Sequence, residues 1–175
     1  MLESERLLIR DWQVNDALAL HDICLDPQLR RNGVGFYENI RDSRKVIRLW
    51  RKQSEMKAIV RKEDKRVVGL IGLGDMNRYS RYKELEIAIA ADCRGQGYAA
   101  EALQRMLAYA FDALDIAVVA AWVRSHNTAC ARLLETCGFY HEGTLRRHAR
   151  DQSDTLCYSI LKEEWKGKYD ESTGT

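Results

Sequence analysis

Arg94-Gly95-Gln96-Gly97-Tyr98-Ala99 decides how the rest of the 175-residue chain is read. On its N-terminal side, Leu85-Glu86-Ile87-Ala88-Ile89-Ala90 alternates as a strand does. On its C-terminal side, Ala99, Leu103, Met106, Leu107, Ala110, Phe111 and Leu114 fall on one helical stripe. The hexapeptide is therefore a glycine-rich turn from a strand into a helix. Such a turn leaves backbone N–H groups unpaired at the positive end of the helix dipole, and the missing Cβ at positions 95 and 97 lets a ligand approach them. That is an anion site, suited to phosphate.

The composition bounds what can surround it. With 46% hydrophobic residues the chain can bury one core, and no linker-like stretch divides it, so one domain is expected over residues 1–165 with a mobile tail at 166–175. A net charge of +2 lacks the basic excess of a nucleic-acid binder. No apolar run reaches the length of a membrane span, and Met1-Leu2-Glu3-Ser4-Glu5 lacks a signal peptide's regions; the expected location is cytoplasmic. Five cysteines without a C-x-x-C pair suggest reduced thiols, and four scattered histidines lack metal-ligand spacing, so no metal is expected.

Taken in order, Arg6 to Arg10 reads as a strand and Ala17 to Cys24 as a helix capped by Asn15 or Asp16. A loop follows from Asn32 to Asn39, then a helix capped by Ser43 with a buried stripe of Val46, Ile47, Leu49, Trp50 and Gln53. Between Gln28 and Arg66 there are 13 Lys and Arg against 5 Asp and Glu, an excess of 13 − 5 = 8, readable as a solvated face or as a sign of an acidic partner or of ribosomal RNA nearby. Lys57 to Arg61 and Val67 to Leu73 form a hairpin across Lys62 to Lys65, with a bulge or bend expected at Gly69, Gly72 and Gly74. A polar connection, Asn77 to Tyr82, leads to the strand at Glu84 to Ala90. After the glycine loop and its helix, Ile116 to Val123 reads as a strand buried on both faces, which makes a crossover unit with a parallel pair. A helix from Thr128 to Cys137 ends at Gly138, and two strands near Phe139 to His148 and Thr155 to Leu161 close the sheet.

Gly95, Gly97 and Ala100 fit the dinucleotide pattern G-x-G-x-x-G/A, with Arg124 placed for a 2′-phosphate; yet that fold alternates strands and helices from its start, and here hairpins come first. Arg94, Gly97 and Ala99 also fit the [Q/R]-x-x-G-x-[G/A] loop of acetyl-CoA-dependent acetyltransferases. The order of elements over nearly the whole chain resembles the GNAT superfamily. Within it, Glu5-Arg6-Leu7-Leu8-Ile9-Arg10 resembles the "ERLxLR" opening of the RimJ/RimL-type ribosomal-protein N-terminal acetyltransferases, with Asp11 where a proline often follows. Asn127 to Phe139 resembles their "N-x-x-S … L-x-x-x-GF" signature, with Cys130 in place of the serine.

The resemblance implies a mixed α/β fold: three layers, with helices on both faces of a mostly antiparallel twisted sheet that holds one splayed parallel pair. It implies acetyl-CoA as co-substrate, its pyrophosphate held by the backbone of Arg94, Gly95, Gln96, Gly97, Tyr98 and Ala99. The pantetheine arm would lie along Ile87, Ala88 and Ile89, an N–H there would stabilise the oxyanion, and Asn127 would hydrogen-bond the pantetheine. Glu84, or Glu86, would serve as base, and Cys130 would stand near the departing sulfur. The tyrosine acid of many relatives is Leu134 here.

An α-amino group, with a pKa near ~7.8, needs about 3.5 kcal/mol less help to deprotonate than an amine near ~10.4. A site without an evident acid therefore favours a protein or peptide N-terminus as acceptor, a ribosomal protein among them. The alternatives are a polyamine or antibiotic-like amine, or an acyl-CoA-binding module without turnover. Neither nucleic acid nor a membrane is required, and either a monomer or a homodimer fits.

Overall fold

A computed structural model of the chain describes residues 1–35, 37–53, 55–76 and 81–165. The tail expected at 166–175 and most of the polar connection, 77–80, lie outside the described residues. The chain divides into two compact units, Met1–Gly74 with Glu86–Met106, and Asp75–Leu85 with Leu107–Thr175.

In the first unit, β1 (Leu2–Glu3), β2 (Leu7–Asp11), β3 (Lys57–Arg61) and β4 (Val67–Asp75) follow one another as antiparallel neighbours. Leu7 and Ile9 alternate into the core from β2, as the period of a half-buried strand requires. The expected irregularity in β4 is present. Ile59 pairs with Gly69 but Val60 with Val67, so Val68 is the extra residue of a bulge. A Cβ on Gly69 would lie 2.4 Å from the Ala88 carbonyl oxygen, so only glycine permits this approach.

The helices of this unit are α1 (Ala17–Cys24), α2 (Pro27–Arg31) and α3 (Ile40–Gln53). The sequence gives no period for α2, which is five residues long. It forms because Pro27 occupies the first turn and the Asp26 carboxylate accepts from the Gln28 N–H at 2.8 Å. The start of α3 corrects the expected Ser43 cap. Asn39 fills that role, its Oδ1 accepting from the Asp42 N–H at 3.1 Å, and Ser43 is fully buried inside the helix. Leu49, expected in the buried stripe, is exposed, while Ile47 is buried and Trp50 packs its ring 5.8 Å from that of Trp12. Arg41, Arg44, Lys45, Arg48, Arg51 and Lys52 cover the outer face of α3.

β5 (Tyr82–Ile89) runs from the second unit into the first, and a 3-10 turn, Ala91–Cys93, precedes the glycine loop. α4 (Tyr98–Ala108) follows and closes in a π turn, Tyr109–Ala113, which keeps Ala110 and Phe111 buried.

The second unit holds β6 (Val118–Arg124), α5 (Thr128–Thr136), β7 (Tyr140–Leu145) and β8 (Thr155–Leu161). β5 and β6 pair in parallel from Tyr82↔Val118 to Glu84↔Ala120. β8 lies antiparallel between β6 and β7. One face of β6 is open at Trp122, which corrects the strand expected to be buried on both sides; Trp122 sets its ring edge-on to His148 at 5.3 Å instead. Gly138, at φ +94, ends α5 where expected. The eight strands follow the order β1-β2-β3-β4-β5-β6-β8-β7 in a mixed α/β architecture: mostly antiparallel, one parallel pair, helices flanking.

Candidate active site

The first unit gathers the loop residues Arg94 to Ala99 with Ile87, Ala88 and Ile89 of β5. Gly95 and Gly97 have φ of +73 and +82, left-handed values that a side chain disfavours. A Cβ on Gly95 would meet nothing within 4 Å, so the backbone there faces open space. The Glu101 N–H donates to the Gly97 carbonyl at 3.1 Å, so the N–H groups of Tyr98, Ala99 and Ala100 precede the helical ladder and have no acceptor within α4. This is a cradle of amides suited to a diphosphate, and the residues present fit one.

Arg94 directs its guanidinium away from that cradle. Its Nε donates to the Ile89 carbonyl at 3.0 Å, Nη1 to Gln28 Oε1 at 2.8 Å, and Nη2 pairs with the Asp26 carboxylate. Its place in the pattern therefore reflects anchoring of the loop to β5 and α2. The Gln96 side chain turns back to the Asp92 carbonyl at 3.2 Å. On β5, the Ala90 N–H donates to the Val68 carbonyl at 2.9 Å, and Ala88 and Ile89 are buried.

The sequence reading missed a second set of residues around the loop. Glu101, in the first turn of α4, accepts from Ser4 Oγ at 2.7 Å, from the Arg6 N–H at 2.8 Å and from Arg6 Nε at 2.7 Å. Burial pushes the Glu101 carboxyl up, but these bonds and the Arg6 charge outweigh it and hold its pKa below the usual glutamate value. The available signal was the acid at a helix N-terminus; its partners lie 97 and 95 positions away.

Glu84, Asn127 and Cys130 belong to the second unit. Glu84, on the paired part of β5, is partly buried, and burial raises its pKa. Asn127 is the N-cap of α5, its Oδ1 accepting from the Cys130 N–H at 3.3 Å. Among the described residues its amide nitrogen has no hydrogen-bond acceptor, so the cap and a ligand contact are compatible in one side chain. Cys130 is partly buried, and burial pushes its thiol up to about 11. It therefore stays protonated at neutral pH, a weak donor rather than a nucleophile.

Leu134 is fully buried in the second unit. A buried hydroxyl absent from the sequence reading is that of Tyr158 on β8, which donates to Glu135 Oε1 at 2.9 Å. Its pKa is pushed up to about 12 by burial, by that bond and the Glu135 charge, and by Cys130. Among the described residues, no group of three His, Cys, Asp or Glu could hold a metal ion, and no helix is long and apolar enough to cross a membrane.

Known proteins resemble the chain over most of its length. Residues 6–140 match the Acetyltransferase (GNAT) domain family. The chain is 27% identical over 180 residues to the putative ribosomal N-acetyltransferase YdaF of Bacillus subtilis, covering 94% of this chain and 96% of that one. It is 26% identical over 136 residues to the spermidine N(1)-acetyltransferase of Vibrio cholerae, covering 67% and 79% respectively. The crystal structure of spermidine N-acetyltransferase from Vibrio cholerae in complex with CoA and spermine shares the fold, with a TM-score of 0.81 at 23% identity over 93% of this chain and 99% of that one. An amide cradle for a diphosphate, this sheet and a family match over most of the chain have one meaning: the chain belongs to the GNAT family of acetyl-CoA-dependent N-acetyltransferases.

Proposed function

We propose that residues 1–165 act as one catalytic domain of a cytoplasmic, RimJ/RimL-like enzyme that acetylates the α-amino group of a protein or peptide N-terminus, a ribosomal protein among its candidate substrates. The amides of Gly95 to Ala99 hold the diphosphate of acetyl-CoA. The strand edge at Ile87 to Ile89 receives the pantetheine, and an N–H at Ile87 or Ala88 stabilises the oxyanion that forms when the amine attacks the thioester carbonyl. Asn127 uses its amide nitrogen on the pantetheine while its oxygen caps α5. Glu84 takes a proton from the bound ammonium, directly or through water, so that the neutral amine attacks, and Cys130 donates toward the departing sulfur. The carbon–nitrogen bond forms to give the tetrahedral oxyanion, which then collapses with loss of the carbon–sulfur bond, without an acyl-enzyme, since the Cys130 thiol is protonated.

The observation that carries the acceptor class is Glu84, a carboxylate with a raised pKa and no charged partner among the causes of its shift. Burial makes this carboxylate a stronger base than an exposed one, and an α-amine asks less of it, its deprotonation being about 3.5 kcal/mol easier than that of a polyamine or lysine nitrogen. The longer coverage of the putative ribosomal relative supports the same choice. The spermidine acetyltransferase relative favours a second reading, a polyamine acceptor.

The test is CoA release from acetyl-CoA with three acceptors: a peptide with a free N-terminus and no lysine, an Nα-blocked peptide with one lysine, and spermidine. Turnover confined to the first is expected. Preferred turnover of spermidine would replace this reading with the polyamine one.

A further inference from the structure

Arg6 lies within the first unit, on the approach to β2, and its guanidinium is fixed over the glycine loop. Nε pairs with Glu101 at 2.7 Å, Nη1 donates to the Gln96 carbonyl at 2.9 Å, and the group sits 4.8 Å over the Tyr98 ring. Nη2 comes within 3.2 Å of where a Cβ on Gly97 would stand, so the glycine makes room for the arginine as well as for a ligand. An arginine devoted to Glu101 alone would spend both arms of its fork on that carboxylate. Here one arm is spent on the loop backbone, Nη2 stands beside the amide cradle, and the side chain remains 45% exposed.

The charges give the arrangement a purpose. Glu101 is a carboxylate in the first turn of the helix that would receive a diphosphate, and left alone it would repel one. Pairing with Arg6 cancels that repulsion, and the same carboxylate holds the guanidinium at the loop. Ser4, donating to Glu101 at 2.7 Å, fixes the carboxylate in turn.

We propose that Arg6 is a diphosphate-binding residue for the co-substrate, its Nη2 completing the site formed by the loop amides, with Glu101 and Ser4 as its positioning residues. This rests on the acetyl-CoA reading above. Charge-assisted hydrogen bonds of this kind make affinity for the phosphate-bearing end of the molecule the quantity to measure.

The experiment compares acetyl-CoA with S-acetylpantetheine, which carries the thioester without the phosphates. The double variant Arg6→Met with Glu101→Gln is used so that no carboxylate is left unpaired, and Arg6→Lys keeps the charge without the fork. For acetyl-CoA, the double variant should raise KM and Kd roughly tenfold to hundredfold while kcat at saturation moves less than about twofold, and Arg6→Lys should fall between it and the parent. For S-acetylpantetheine, parent and double variant should share one KM. Unchanged acetyl-CoA affinity, or an equal loss for both thioesters, would overturn the proposal by making Arg6 a scaffold residue. A parent protein that binds S-acetylpantetheine or neither thioester, but not acetyl-CoA, would overturn the functional reading itself and the proposal with it.

Discussion

Glu84 links pH, stability and turnover at one side chain. Burial raises its pKa, so the neutral carboxyl is favoured more in the folded state than in the unfolded one. The stability this contributes is fully present below the ordinary glutamate pKa of ~4.3 and is lost as pH rises through the raised folded value. Glu84→Gln should therefore raise the melting temperature at neutral pH, with the gain vanishing in acid. It should also lower kcat by roughly a hundredfold and remove the acidic limb of the rate profile. Full turnover by that variant at every pH would exclude Glu84 from proton transfer. Glu101 shows the opposite sign. Its lowered pKa gives stability that is present above the ordinary glutamate value and lost as pH falls through the folded one, so Glu101→Gln should destabilise at neutral pH and not in strong acid. Cys130, with its thiol pushed up to about 11, should alkylate slowly at neutral pH and faster as pH approaches that value, followed site by site by mass spectrometry. Cys130→Ser, with a better donor, should match or exceed the parent kcat, and Cys130→Ala should fall below it.

The loop between β5 and α4 gives a graded series at the scale of an element. Gly95→Ala meets no atom and carries only the left-handed backbone cost of about 1 kcal/mol. Gly97→Ala carries the same cost and also crowds Arg6 Nη2 at 3.2 Å, so calorimetric titration should show the larger loss of acetyl-CoA affinity there. Equal losses would mean that the backbone angle alone matters. On β4, Gly69→Ala sets a carbon 2.4 Å from a backbone oxygen that cannot swing aside, and a denaturant midpoint should record about 1–3 kcal/mol of destabilisation. Elements with a period were legible: the crossover through α4, the hairpin of β3 and β4, and β8, whose bounds at Thr155 and Leu161 match. β1, of two residues, and α2, of five, are too short for a period to emerge, and α3 starts earlier than expected because Asn39 caps a helix as well as Ser43 can.

For the whole molecule, a ligand that binds only the folded state stabilises it by about 2.7 kcal/mol at a hundred times its Kd, a shift of roughly 5–10 °C for a chain of this size. Acetyl-CoA should produce that shift and NADPH none. A shift with NADPH alone would return the glycine loop to the dinucleotide pattern. The glycine loop, Asn127 and Cys130 could be nominated from the sequence as candidates because they sit in local motifs. The contacts of Arg6 and Ser4 with Glu101 join residues nearly a hundred positions apart, and the bond between Tyr158 and Glu135 spans 23, distances at which no local pattern records a partner. The π turn at Tyr109–Ala113 has its own consequence for reading ancestry. Such a turn holds one residue more than an α-helical turn, so a relative with a regular helix here aligns correctly only with a one-residue gap inside that turn. Moving the gap beyond Arg124 would slide β6 by one position, and because a strand alternates its faces, Trp122 would be assigned to the core and Val123 to solvent.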